Sequence, residues 1–303
     1  MKTQARAPRW VAFLLAAGLA TSIAACVPGW LSQPASPPPP GIVSWGDLSW
    51  NLPGDDFVAV SAGGGHFMAL KRGGTVITAG IPVPSGLSDV IAISAGGSHD
   101  LALRRDGTVV AWGGDSIGQT DVPSGLTDVV AISAGSEHSL ALRHEGTVVA
   151  WGGNTHGQTD VPAGLSDVVG IAAGWFHSVA LKRDGTVVAW GDPEATQVPA
   201  GLSNVKAISA GAALSLALKN DGSVVAWGQN CCGQTNVPAG VRDIQAISAG
   251  LEYALALRRD GTVFAWGYNR SGQTNVPRGL SHVIAIAAGD RTSLAIVGPQ
   301  APQ

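Results

Sequence analysis

A segment of the form A-[IV]-[SA]-A-G returns seven times, beginning at Ala59, Ala92, Ala131, Gly170, Ala207, Ala246 and Ala285, with spacings of 33, 39, 39, 37, 39 and 39 residues. A second segment, G-T-V-V-A-W-G in its commonest form, also occurs seven times, at 41–46, 74–80, 107–113, 146–152, 185–191, 222–228 and 261–267. A fixed period of this size marks an array whose units cannot bury their apolar faces alone. The two series are out of phase at the ends. The first W-G segment, with Trp45, precedes every A-G segment, and the last A-G segment, with Gly289, has no W-G segment after it. Two complementary half-units predict a ring that closes by pairing them.

Within each unit the apolar residues alternate with period two, which predicts strands. V-V-A-I-S-A-G is apolar and then small, as suits an inner strand crowded near an axis. H-S-L-A-L-R and T-V-V-A-W-G flank Asp-Gly at 106–107, 184–185, 221–222 and 260–261, a hairpin signal because both residues tolerate positive φ. G-Q-T-D-V-P supplies a short fourth edge strand ended by proline. The expectation is an all-β, seven-bladed β-propeller of four-stranded antiparallel blades over residues 41–298, closed by N- and C-terminal half-blades. Its closing blade takes inner strands from 283–297 and outer strands from 42–50, and residues 299–303 form a tail.

Residues 1–25 read as an export signal, with Lys2, Arg6 and Arg9 ahead of an apolar run from Trp10 to Ala25. Ile23-Ala24-Ala25-Cys26 resembles the bacterial lipobox, so Cys26 is the expected lipidation site and mature N-terminus. The proline-rich stretch 26–40 then favours an extended spacer. An exported protein, anchored by lipid at the cell surface or in the periplasm, is the expected product. Charge limits the partners. The leader holds three of the 18 basic residues and none of the 21 acids, leaving 15 basic against 21 acidic residues. A nucleic-acid partner needs the opposite sign.

The pattern A-G-x-x-H-S-L-A-L, then D-G-x-V-x-A-W-G-x-N-x-x-G-Q, resembles the regulator-of-chromosome-condensation repeat family over about residues 41 to 298. The 39-residue unit is similar to the compact bacterial type, which includes a secreted propeller inhibitor of β-lactamases. The resemblance implies the propeller strongly and the function weakly. It also implies that His66, His99, His138 and His177 belong to the repeat consensus and bond their own loops. A zinc ring is the alternative reading of these four, but equivalent positions on a ring lie too far apart for one ion with ~2 Å bonds. No metal and no cofactor are expected.

Antiparallel connection puts the A-G-x-x-H and W-G-x-N-x-x-G-Q turns at one end of every blade. At that end the sequence varies. Trp175, Phe176 and Tyr253, with Glu252, Asp290 and Arg291 as polar neighbours, form the predicted binding patch for an unidentified protein or surface ligand. Inhibition of an extracellular enzyme such as a β-lactamase is a narrower alternative, weakened because Gly64, Gly65, Gly97, Ala212 and Ala213 replace the aromatics it would use. A structural envelope role is a third. A hydrolase or lyase would need acids or bases along the inner strands, and these read A-I-S-A-G, so a non-enzymatic monomer is expected. Ten cations beside the hairpin turns are matched by acids in five turns, which predicts solvated ends rather than a basic ring. Cys231 and Cys232 either form a strained vicinal disulfide or remain two thiols.

Overall fold

The computed structural model describes residues 38–48 and 51–299. The leader 1–25, Cys26, most of the 26–40 spacer, Trp50 and the tail from 300 onward lie outside the described residues. Among the described residues every regular element is a strand, and no helix is long and apolar enough to cross a membrane.

The strands form seven antiparallel sheets. Blade 1 consists of Phe57–Ala62, Phe67–Lys71 and Val76–Ala79 as inner, middle and outer strands. Blades 2 to 6 repeat this order over residues 90–113, 129–152, 168–191, 205–228 and 244–267. Blade 7 joins the two ends of the chain. Its inner pair is Val283–Ala288 and Thr292–Val297, and Gly41–Gly46 pairs with the latter in continuous register from Gly41↔Val297 to Gly46↔Thr292.

Each middle strand is buried along nearly its whole length, because both of its faces meet neighbouring blades. This explains why L-A-L is apolar on successive residues rather than on alternate ones. The core is correspondingly divided into clusters between blades. Leu101 and Leu103 of blade 2 pack with Ala141 and Trp151 of blade 3, and Ile42 and Ile296 of blade 7 pack with Phe57, Phe67 and Ala69 of blade 1.

Two expectations require correction. Among the described residues only blade 7 has four strands, the fourth being Asn51–Pro53 against Gly41–Val43. Elsewhere the G-Q-T-x-x-P segment folds into consecutive turns, with the Asp121, Val122 and Leu126 N–H groups donating to Gly118, Thr120 and Pro123 carbonyls. Val122 and Leu126 sink into the inter-blade core, so the alternation that resembles a strand is a packing pattern of turns. The hairpin ends also differ. Gly107 alone takes positive φ (81°), while the Asp106 carboxylate accepts from the Thr108 N–H at 3.0 Å and its hydroxyl at 2.7 Å. The connection is therefore a right-handed turn followed by a left-handed glycine.

Around the axis the A-G turns are linked by backbone. The N–H after each turn glycine donates to a glycine carbonyl of the next blade: Gly64 to Gly96, Gly97 to Gly135, Ser136 to Gly174, Trp175 to Gly211, Ala212 to Gly250, Leu251 to Gly289 and Asp290 to Gly63, at 3.0 to 3.3 Å. The chain of bonds returns to its start. Glycine is required here because a Cβ on Gly63 would collide with the Gly96 carbonyl oxygen.

Candidate functional site

The variable tripeptide after each A-G has three separate destinations. Its first residue, Gly64, Gly97, Ser136, Trp175, Ala212, Leu251 or Asp290, lines the axial mouth, a space of about 80 Å³. Below the mouth lies a channel of about 240 Å³ lined by inner strands, with serine hydroxyls and no titratable side chain. All five of those serines are in use, since Ser61, Ser94, Ser133, Ser209 and Ser248 each accept an N–H from the next blade at 2.9 to 3.0 Å. Nothing in the channel lining can act as a general acid or base.

The second residue forms the rim, and in blades 3, 4 and 6 it faces the loop residue 20 positions earlier in the preceding blade. Phe176 stacks on His156 with ring centroids 4.4 Å apart, and Trp175 meets Phe176 edge-on at 6.2 Å. Glu252 faces Cys231 and Cys232. Arg291 is exposed and pairs weakly with Asp47 at 3.9 Å.

The third residue is not a loop residue at all. His99, His138 and His177 are buried, and each Nε2 meets a serine of the next blade, Ser139, Ser178 or Ser215, at 2.8 to 2.9 Å. They bridge blades instead of bonding their own loops, which corrects the expectation. Ser139 and Ser178 donate onward to the Gln119 and Gln158 carbonyls, so Nε2 carries the proton and the rings are neutral. Burial lowers His99 to about 4, His138 to about 3 and His177 to about 4. His66 meets Asp100 at 2.8 Å where a serine stands in later blades, and burial raises the Asp100 carboxyl.

Tyr253 occupies this same third position and is completely buried. Its hydroxyl donates to the Thr292 carbonyl at 2.8 Å and lies 3.1 Å from the Ser293 hydroxyl. It therefore leaves the binding patch. Trp175 and Asp290 come together at the mouth, where burial raises the Asp290 carboxyl while Arg291 and a hydrogen bond from Trp175 pull it back.

The repeated tryptophans are explained by the G-Q turns. Trp151, Trp190, Trp266 and Trp45 donate their indole N–H to the carbonyls of Gln119, Gln158, Gln234 and Gln273 in the preceding blade, at 2.8 to 3.0 Å. Five consecutive units match the model of the regulator of chromosome condensation (RCC1) repeat, at residues 90–119, 129–158, 168–197, 205–234 and 244–273. The chain is an RCC1-repeat β-propeller. No curated protein sequence matches it.

Solved structures extend the RCC1 fold over most of the chain. Prp20p from Saccharomyces cerevisiae superposes with a TM-score of 0.73 at 18% identity, covering 87% of this chain and 92% of Prp20p; that protein's described properties are binding to Gsp1p and histones. Human WBSCR16 gives 0.68 at 17% identity, with 84% and 90% coverage. The CRINKLY WD40 ectodomain of the Arabidopsis thaliana receptor kinase ACR4 gives 0.64 at 23% identity, with 81% and 92% coverage.

The opposite face carries residues that sequence reasoning missed. A register shift near the start of each inner strand turns one side chain outward. Val58, Ile91, Val130, Val169 and Ile284 stand at that place in five successive blades and are 44 to 56% exposed, with Lys206 and Gln245 in the other two. The signal was the large apolar residue before A-[IV]-[SA]-A-G. The hairpin charges on this face are partly cancelled, with Lys71–Asp56 at 3.1 Å and Lys182–Asp184, Lys219–Asp221 and Arg258–Asp260 at 3.7 to 3.8 Å.

Proposed function

We propose that this RCC1-type propeller is an exported, lipid-anchored module that binds a protein partner through the face containing Trp175, without catalysing a reaction. The observation that carries the reading is the pair of half-buried rings Trp175 and Phe176, with the exposed His156 stacked on Phe176, beside Asp290 on a hydrogen-bonded ring. Large rigid rings held by a fixed scaffold are what a binding hot spot requires. An indole face next to a carboxylate suits a lysine or arginine side chain of the partner, and the mouth has room for little more than its charged tip. Protein partners of Prp20p support the same class of ligand. Sealing the cleft of an extracellular enzyme such as a β-lactamase would be a special form of this binding.

Two experiments test the proposal. Trp175→Ala with Phe176→Ala will leave thermal unfolding nearly unchanged and weaken capture of envelope partners by at least ~2 kcal/mol. Undiminished capture by a folded double variant would move the site elsewhere, and loss of capture on Val130→Asp instead would place it on the apolar arc of the opposite face. Cys26→Ser will release the protein from the membrane fraction. Retention there, with the leader removed, rules out the lipid anchor.

A further inference from the structure

Cys231 and Cys232 lie in the loop of blade 5 where other blades carry Ser116-Ile117, Thr155-His156 or Arg270-Ser271. Glu252 is the rim residue of blade 6 that faces this loop. The two sulfur atoms are 3.4 Å apart, Cys231 Sγ is 3.7 Å from Glu252 Oε1, and Cys232 Sγ is 3.9 Å from Oε2. The loop that presents them is braced from within. The Cys232 N–H donates to Gln234 Oε1 at 2.8 Å, the Thr235 N–H donates to Asn230 Oδ1 at 3.1 Å, and Asn230 Nδ2 donates to Asn236 Oδ1 at 3.1 Å.

We propose that Cys231, Cys232 and Glu252 bind a thiophilic divalent cation of the Zn²⁺ or Cd²⁺ class, which clips blade 5 to blade 6 on the rim. A tetrahedral ion with bonds of about 2.3 Å to sulfur and about 2.0 Å to oxygen holds two thiolates ~3.8 Å apart and a thiolate and carboxylate oxygen ~3.5 Å apart. The sulfurs lie about 0.4 Å closer together than this, and each is within about 0.4 Å of the required distance to a different oxygen, Cys231 to Oε1 and Cys232 to Oε2, so a turn of the Glu252 carboxylate that brings one oxygen toward both sulfurs completes the set. Sulfur ligands select a soft or borderline ion over Mg²⁺ or Ca²⁺, which take oxygen. Binding releases the two thiol protons to solvent and leaves two thiolates and a carboxylate around the ion. Gln234 Nε2, 3.7 Å from Cys231 Sγ, is placed to donate to the metal-bound thiolate. Cys231 is exposed, so the fourth coordination position opens to solvent.

The same rim contact provides internal comparisons. Between blades 3 and 4 it holds the His156–Phe176 stack, and Glu137 of blade 3 faces the Ser116-Ile117 loop, which has no thiol. Blade 5 to blade 6 is the contact where a carboxylate and two thiols coincide.

The test titrates the reduced full-length chain with Cd²⁺ alone, followed by the ultraviolet thiolate-to-metal charge-transfer band and by equilibrium dialysis. Cys231→Ser with Cys232→Ser, and separately Glu252→Gln, are compared after thermal unfolding shows that each is folded. Cys26 is common to all three chains. The wild-type chain is expected to bind one equivalent more than the double serine variant, Zn²⁺ will displace it, and Glu252→Gln will weaken that equivalent about tenfold or more. Equal stoichiometry in the wild-type and double serine chains overturns the site. An unchanged affinity in Glu252→Gln overturns it equally, because the ion would then be held by the thiols alone.

Discussion

Acidification from pH 7 to pH 5 is expected to remove about 6 kcal/mol of the propeller's stability, through its buried histidines. Burial holds His99, His138 and His177 at about 4, 3 and 4, against roughly 6.5 in the unfolded chain. Below 6.5 the unfolded state takes up protons that the folded state refuses. Each histidine therefore contributes fully above that value and loses about 1.4 kcal/mol per pH unit as pH falls toward its folded pKa, or about 2 kcal/mol by pH 5.

Other groups act with different sign or in a different window. Asp100, raised by burial, has the opposite sign: it favours the folded state at low pH and loses that contribution as pH rises through its folded pKa. Asp106, Asp184, Asp221, Asp260 and Glu145 are lowered, first by bonds from Thr or Ser side chains. Their contributions disappear only as pH falls below the ordinary carboxylate range.

Urea unfolding at pH 7, 6 and 5 checks the prediction, and the chain itself supplies a control. Blade 5 has Leu214 at the histidine position, and the serine it would meet is Ala254, both within one apolar cluster. His138→Leu with Ser178→Ala copies that pair, so it should fold and reduce the loss between pH 7 and pH 5 by about a third. A wild-type midpoint that does not move over this range would show that the histidines protonate in the folded state.

Legibility followed the range of each contact. The period and the mismatched ends were sufficient to pair 41–46 with 292–297, because a repeat displays its register directly. Tyr253 was misplaced because A-G-x-x-H reads as one loop, whereas its last residue begins the middle strand and enters the next blade. The usable signal lay about 40 residues away: Asp100, Ser139, Ser178 and Ser215 follow histidine blades, Ser293 follows Tyr253, and Ala254 follows Leu214. Polar partners meet polar residues and apolar partners meet apolar ones. The thiol and carboxylate group was hidden by a 20-residue offset between the loop of one blade and the rim of the next. Trp112 shows the other side of this dependence. Blade 1 lacks the G-Q turn, its repeat being 33 residues long, and the Trp112 indole N–H is buried without a partner.

The largest single effect is expected at the junction of the two chain ends. Deleting 41–46 removes the strand that pairs with Thr292–Val297 and also leaves Asn51–Pro53 without its neighbour. Its side chains serve two interfaces. Ile42 packs toward blade 1 with Phe57 and Phe67, and Val43 and Trp45 pack toward blade 6 with Tyr253, Leu255 and Leu257. Trp45 also donates its indole N–H to the Gln273 carbonyl at 2.8 Å. Trp45→Ala alone should cost roughly 3 to 5 kcal/mol, a fall of about 5 to 10 °C in Tm for a domain of this size. Trp45→Phe keeps most of the apolar contact and loses only the indole bond, whose acceptor still receives the Ser293 hydroxyl at 2.8 Å, so about 1 kcal/mol is expected. The deletion will exceed both, because it exposes strand edges and the apolar sides of two blades. Thermal unfolding of the three variants beside the wild-type chain measures this order. If the deletion unfolds at the wild-type temperature, the blades form a stable open array and the seam between the chain ends carries none of the stability assigned to it.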